Sequence, residues 1–246
     1  MNDLLLKIDQ LRDKINRYRP LEGNVLGSLK DYYNVGLTYS SNALEGNSLT
    51  ETETKIIIED GLTVSGKPLR DHFEAIGHSE AFTMMFAMAQ QKSFSQADIQ
   101  QLHKLFYHRI DMARAGAYRT EQVFISGSEY ALPTPDKVAV LMQQFITDYG
   151  MLPDGMHGVE YAALVHKIFV FIHPFVDGNG RVARLLMNLV LLQHGYFVAI
   201  IPPVRRRDYI ASLEKAHRDD SDFKMFIASM VYETQKDVAR LLEGSK

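Results

Sequence analysis

From His173 to Arg184 the chain reads His-Pro-Phe-Val-Asp-Gly-Asn-Gly-Arg-Val-Ala-Arg, which gathers an imidazole, a carboxylate, two glycines and two guanidiniums into one short stretch. An imidazole such as His173 is tuned near neutral pH to take a proton from an attacking hydroxyl. Asp177 offers the hard oxygen ligand that magnesium prefers, a cation commonly held by one or two carboxylates together with substrate phosphates. Gly178 and Gly180 allow backbone conformations closed to other residues, and a helix follows them, so several amide donors can converge on one anion. Arg181 and Arg184 fall at the start of that helix, where the macrodipole disfavours each cation by about 0.3–1 kcal/mol. A polyanionic ligand or a carboxylate partner removes that penalty. Together these are parts for phosphoryl or nucleotidyl transfer.

The elements that must position them read as helices. Strongly apolar segments flank the motif, at about 157–172 and 181–194, with Gly195 as a stop. Leu4, Ile8, Leu11 and Ile15 predict a first amphipathic helix that runs until Pro20. A second spans about Glu22–Glu45, carried by Leu29, Tyr33, Leu37, Ser41 and Leu44 and stopped by Gly46-Asn47. Further helices are predicted at 69–91, at 95–110 from a Ser95-x-x-Asp98 capping box, and at 136–149, 208–217 and 222–242. Between Tyr118 and Pro135 the pattern changes to Val123-Phe124-Ile125, Ser126-Gly127-Ser128 and Tyr130-Ala131-Leu132, which predicts a short β-hairpin turning at Ser126-Gly127. Pro153–Gly158 is expected to be a connector too short to divide the chain, so the expected fold class is all-α with one small hairpin.

Composition narrows the chemistry. The 246 residues are 46% hydrophobic and 23% charged, as in an ordinary folded domain. With 27 Lys and Arg against 30 Asp and Glu, the formal charge is −3 and gives no global attraction to nucleic acid or anionic lipid. Arg205-Arg206-Arg207 is too few charges to reverse that reading and is expected to be a solvated helix entry. The absence of cysteine excludes thiolate catalysis, Cys-ligated zinc and iron–sulfur clusters. No signal peptide or membrane-spanning run is expected, and hence a cytoplasmic location. Gly178–Ala183 formally fits a dinucleotide-binding pattern, but no Asp or Glu occurs between Arg181 and Arg207 to hold a ribose. Walker A and H-E-x-x-H sequences are also missing.

The run His173–Arg184 matches in full the H-P-F-x-(D/E)-G-N-G-R-x-x-R signature of the Fic family, and the chain resembles that family also at Gly116-Ala117-Tyr118-Arg119, Pro133, Pro135 and Tyr209. The resemblance implies the all-helical Fic (Fido) fold with a β-hairpin flap. It implies adenylylation, in which a Ser, Thr or Tyr hydroxyl of a target protein, or of the chain itself, attacks the α-phosphate of ATP and pyrophosphate leaves. His173 would be the general base and Asp177 the Mg2+ ligand. Asn179 with the Gly178 and Gly180 amides would cradle the phosphates, and Arg181 and Arg184 would neutralise β and γ charge. The flap, Val123-Phe124-Ile125-Ser126, would roof the nucleotide and pair with an extended target segment. Tyr209 would lie near the adenine or ribose, with His217 where relatives often carry Asn.

Ser41-Asn42-Ala43-Leu44-Glu45-Gly46 matches the (S/T)-x-x-x-E-(G/N) inhibitory motif of family members that restrain themselves through an N-terminal helix. A Glu in a last helical turn opposes the dipole and calls for a cationic partner. The expectation is that Glu45 pairs bidentately with Arg184 and takes the space of the γ-phosphate. Residues 1–66 would then carry the inhibitory helix and 67–246 the catalytic core, in a single compact unit. Two alternatives remain at this point: an enzyme that also removes AMP, with Glu45 orienting a water, and a non-catalytic interaction module. A lost His or Asp would mark the latter, and both are present. Expected partners are ATP, a target protein and a second copy of the chain, with no nucleic acid and no membrane.

Overall fold

The apolar run around the motif arginines becomes a helix, α8 (Asn179–Gln193), buried on every side from Arg181 to Leu191. A helix that is hydrophobic all round belongs at the centre of a protein, and α8 is that centre. The computed structural model describes residues 1–18, 23–151 and 155–244, with the backbone alone for 23–26. Pro20, Glu22 and Pro153, expected at element ends, lie outside the described residues.

Around α8 stand α1 (Asn2–Asn16), α2 (Gly23–Ala43), α3 (Glu51–Glu59), α4 (Leu69–Met88), α5 (Gln96–Tyr107), α6 (Pro135–Tyr149), α7 (Gly158–Ile172), α9 (Arg206–Lys215) and α10 (Ser221–Gly244), with a 3-10 turn at Pro203–Arg205. The pair α7 and α8 is antiparallel and joined by the motif loop, 173–178, so the polar residues sit at one end of the most buried helix pair. α4 packs on α8, on α5 and on α2, while α1 lies along α10. Gly77 allows the α4–α5 approach, because a Cβ there would stand 2.5 Å from the Phe106 carbonyl oxygen. Among the described residues no helix is long and apolar enough to cross a membrane.

Most boundaries follow the capping chemistry. Ser95 and Asp98 form the reciprocal capping box expected of them. Helix α3 was not foreseen, although Thr50-x-x-Glu53 is the same signature and makes the same reciprocal bonds. Gly46, at φ 98°, supplies the left-handed residue that ends the second helix.

The hairpin expectation needs correction. Residues 123–132 turn at Ser126-Gly127, with Gly127 at φ 84° and Ser128 N–H donating to the Ile125 carbonyl at 3.2 Å, but they contain no strand. Side chains take the backbone groups that a ladder would have used. Arg119 donates to the carbonyls of Glu121 and Pro133, Gln122 Nε2 donates to the Leu132 carbonyl, and Glu214 accepts the Glu129 N–H. The flap is therefore an anchored loop.

Candidate active site

Pro174 cannot continue a helix, and the chain leaves α7 by turning His173 into the left-handed region at φ 52°, ψ 60°. It is the one non-glycine with positive φ among the described residues, a conformation that costs about 1–2 kcal/mol. Arg119, buried, fixes this turn by donating Nε to the His173 carbonyl at 2.8 Å and its N–H to the Pro174 carbonyl at 2.9 Å. The imidazole thus faces the mouth of the loop, with Nδ1 buried against the end of α7 and Nε2 left for the cleft.

The loop itself is braced from inside. Asn179 accepts the Phe175 N–H at 2.9 Å and donates Nδ2 to the Phe175 carbonyl at 2.8 Å. The amide oxygen and one Nδ2 hydrogen are thus taken, so the Asn179 side chain braces the turn that precedes α8. His103, which sequence reasoning missed, stacks on Phe175 with ring centroids 3.7 Å apart. It accepts the Gly116 N–H at Nδ1, and that fixes the tautomer in which Nε2–H donates to the Asp177 carbonyl at 3.1 Å. Gly178, at φ 79°, tolerates no side chain, since a Cβ would meet the Phe106 ring at 2.9 Å.

The two motif arginines take different partners. Arg181 lies over the Phe106 ring at 4.3 Å, donates Nη2 to Asp177 Oδ1 at 3.1 Å and stands 3.0 Å from Glu74 Oε1. Its Nε and Nη1 have no hydrogen-bond partner although buried. Arg184 donates Nε to Ser41 Oγ at 2.9 Å, and Nη2 to both the Ser41 carbonyl at 2.8 Å and Glu45 Oε1 at 2.7 Å. The pairing of Glu45 with Arg184 is therefore through one oxygen and one nitrogen, not the bidentate fork expected, because Ser41 occupies the rest of that guanidinium edge. The remaining Nη1 points to Tyr209 Oη at 3.4 Å, and Tyr209 Oη in turn contacts His166 Nε2 at 2.8 Å. Arg206 Nε donates to the Leu44 carbonyl at 2.7 Å, tying α9 to the turn that carries Glu45.

Glu45 lies directly over Gly180: a Cβ on Gly180 would collide with Glu45 Oε1. Its carboxylate thus covers the amino-terminal turn of α8. Burial opposes its ionisation, but Arg184 and then Arg181 outweigh burial and hold its pKa below the ordinary carboxylate value. Asp177 behaves alike: burial raises its pKa, while Arg181, the Gly178 N–H and Arg70 together lower it.

His173, Gly180 and Glu45 open onto one cleft, with about 770 Å³ of empty space, part of it open to solvent. Ile125, Tyr130 and Leu132 wall it from the flap loop, Tyr209 and Leu213 from α9, and His217 from the turn just after α9. His217 is sandwiched between Phe171, at 3.6 Å, and Tyr130, at 3.8 Å. Glu214 accepts hydrogen bonds from Ser128 Oγ and the Glu129 N–H, holding the loop against α9. Of the flap residues singled out from sequence, Ile125 reaches the cleft, whereas Val123, Phe124 and Ser126 do not line it, and Phe124 is 87% exposed.

Burial pushes four imidazoles far below their ordinary 6.5: His103 and His173 to about 4, His78 and His166 to about 3. His173 is therefore neutral, and able to accept a proton, throughout the physiological range. Between about pH 6.5 and 4 the unfolded chain binds protons that the folded chain does not, so stability falls as pH drops through that window. Each group contributes up to about 1.4 kcal/mol per pH unit there. Urea unfolding is expected to show a lower midpoint at pH 5 than at pH 7. Equal midpoints would contradict the burial of these rings.

Fold and site together define an all-helical protein with a tight glycine-bounded loop at the amino terminus of its central helix and a neutral imidazole at the loop's mouth. Residues 93–191 match the sequence profile of the Fic/DOC family. The chain is 37% identical over 231 residues to the protein adenylyltransferase Fic of Nematostella vectensis, covering 92% of this chain and 53% of that protein. With the protein of the same name from Drosophila melanogaster it shares 35% identity over 233 residues, covering 94% and 47%. The chain thus spans about half the length of these curated relatives. A Fic domain containing signaling protein from Bacteroides thetaiotaomicron superposes with a TM-score of 0.88 at 27% identity, over 97% of this chain and 98% of that one. Fic-1 from C. elegans superposes at 0.87 and 27% identity, over 100% and 73%. The chain carries a Fic/DOC family domain at residues 93–191 and has the helical fold of these Fic proteins.

Proposed function

We propose that the chain is a protein adenylyltransferase that moves AMP from ATP to a Ser, Thr or Tyr hydroxyl of a target protein, restrained by Glu45. The observation that carries this reading is the convergence of His173 and the amino terminus of α8 on a single cleft. The target oxygen attacks the α-phosphorus, the bond from that phosphorus to the bridging oxygen breaks, pyrophosphate leaves, and the hydroxyl proton passes to His173 Nε2. Positioning and charge stabilisation supply most of the rate in such transfers. Backbone N–H groups at Asn179 and Gly180 meet phosphate oxygens, that of Gly178 being held by Asp177 Oδ1, and Arg181 and Arg184 oppose the charge of the leaving pyrophosphate.

Among the described residues no three acidic or histidine side chains converge to cage a metal. The donor set suits magnesium that is bound through one carboxylate, Asp177, and otherwise by phosphate and water. Bound there, the cation would neutralise phosphate charge. Tyr209 and His217 sit on the wall of the cleft where a base or ribose would lie, and the exposed Phe124 offers the flap an apolar edge for an extended target segment. Residues 1–66 act as the regulatory part, with Ser41, Glu45 and Gly46 as its working end, and 67–246 as the core. The test is incorporation of label from ATP marked on the α-phosphate and, in parallel, on the γ-phosphate, using Glu45→Gly and a lysate. Label from the α position alone is expected. Label from the γ position would make the chain a kinase instead.

A further inference from the structure

Asp177 belongs to a closed ring of four charges, two of which lie outside the motif. Arg70 Nη2 donates to Asp177 Oδ2 at 2.5 Å, and Arg70 Nε to Glu74 Oε1 at 3.1 Å. Glu74 Oε1 stands 3.0 Å from Arg181 Nη1, and Arg181 Nη2 returns to Asp177 Oδ1 at 3.1 Å. The members differ in freedom. The Glu74 and Arg181 side chains are 7% and 3% exposed, whereas Arg70 is 52% exposed and Asp177 39%. Arg181 is further pinned over Phe106.

The two oxygens of Asp177 are also unlike. Oδ1 accepts the Gly178 N–H at 2.6 Å as well as Arg181, and so is committed to the loop. Oδ2 is held by Arg70. Arg70 is the second residue of α4, where the macrodipole disfavours a cation, and its carboxylate partners are what hold it there. Asn47, just beyond the Glu45 turn, donates Nδ2 to Glu74 Oε2 at 2.9 Å and steadies the carboxylate that grips Arg70.

We propose that Arg70 is the resident counter-cation of Asp177, and that a divalent metal loads onto this carboxylate only by displacing it. The inference rests on the reading of Asp177 as the metal-holding residue. It makes a residue of α4, outside the motif, the determinant of metal affinity. A guanidinium at Oδ2 and a divalent cation on the same oxygen exclude each other by volume and by charge.

The test is Mn2+ binding to the full chain saturated with α,β-methylene-ATP, in the Glu45→Gly background, read by water-proton relaxation against a nucleotide-only blank. Arg70→Met is expected to tighten Mn2+ binding about 3- to 30-fold at low salt, a gain that narrows as ionic strength rises because the pair is partly exposed. Adding Asp177→Asn should abolish the gain. Unchanged or weaker Mn2+ binding in Arg70→Met, with Mn2+ still bound through Asp177 in its parent, would overturn the proposal alone. If Asp177→Asn leaves Mn2+ binding unaltered with Arg70 in place, the reading of Asp177 falls and the proposal with it. Equal thermal unfolding of parent and Arg70→Met excludes a change of fold as the cause of either result.

Discussion

Replacing Glu45 by glycine is expected to raise the rate of AMP transfer by about 10- to 100-fold. The carboxylate lies over Gly180, at the amino end of α8, with Oε1 2.7 Å from Arg184 Nη2. A phosphate drawn to the same helix end meets a like charge, and two unit charges about 4 Å apart repel by about 4 kcal/mol at an effective dielectric of 20. That corresponds to nearly three powers of ten, at about 1.4 kcal/mol for each. Glu45 is 36% exposed, so solvent screens part of the repulsion and the smaller factor is expected. Arg184 gains a free Nη2 proton in the variant while Ser41 still holds its Nε, so the guanidinium remains aimed at the helix end. Glu45→Gln separates charge from volume: it should be faster than the parent and slower than Glu45→Gly. Initial rates of AMP incorporation check both, and equal rates for all three chains would remove the brake.

His173→Ala is expected to lower transfer by about 10²–10⁴-fold, the usual contribution of a positioned general base. The other imidazoles around the site are placed for other work: His103 and His166 are buried and engaged with the Asp177 carbonyl and Tyr209, and His217 is stacked between Phe171 and Tyr130. The backbone at 173 gives this substitution a second readout. Alanine inherits the left-handed conformation and its penalty, whereas glycine adopts φ 52° without cost. His173→Gly should therefore be as inactive as His173→Ala yet more stable than it by about 1 kcal/mol in urea unfolding. An alanine variant that proved the more stable would contradict the placement of His173 at the turn.

What the sequence made legible was what lies contiguous in it. His173, Asp177, Gly178, Gly180, Arg181 and Arg184 fall within one loop and the helix after it, so local chemistry alone identified them. Ser41 and Glu45, one helical turn apart, were marked by their resemblance to the family's inhibitory motif, and Ser95 with Asp98 announced a helix start that the fold contains. Residues that act across the fold left no such signal. Arg70, Glu74, His103 and Arg119 reach the motif from distant segments, and only the packing of α4 and α5 on α8 brings the first three there. The flap shows the limit most clearly. Its alternating residues favour strands, but Arg119, Gln122 and Glu214 take the backbone groups that strands would share. The single-oxygen contact of Glu45 with Arg184 was hidden likewise, because it depends on how much of the guanidinium Ser41 has already taken.

The most direct test of the account is the intact mass of Glu45→Gly after incubation with ATP and Mg2+ in the presence of a lysate, beside Glu45→Gly carrying His173→Ala as well. The account predicts an AMP-sized mass increment, on the chain or on a lysate protein, that appears with Glu45→Gly and is absent once His173 is gone. An increment that persists without His173, or none at all while ATP binds the cleft, would contradict it.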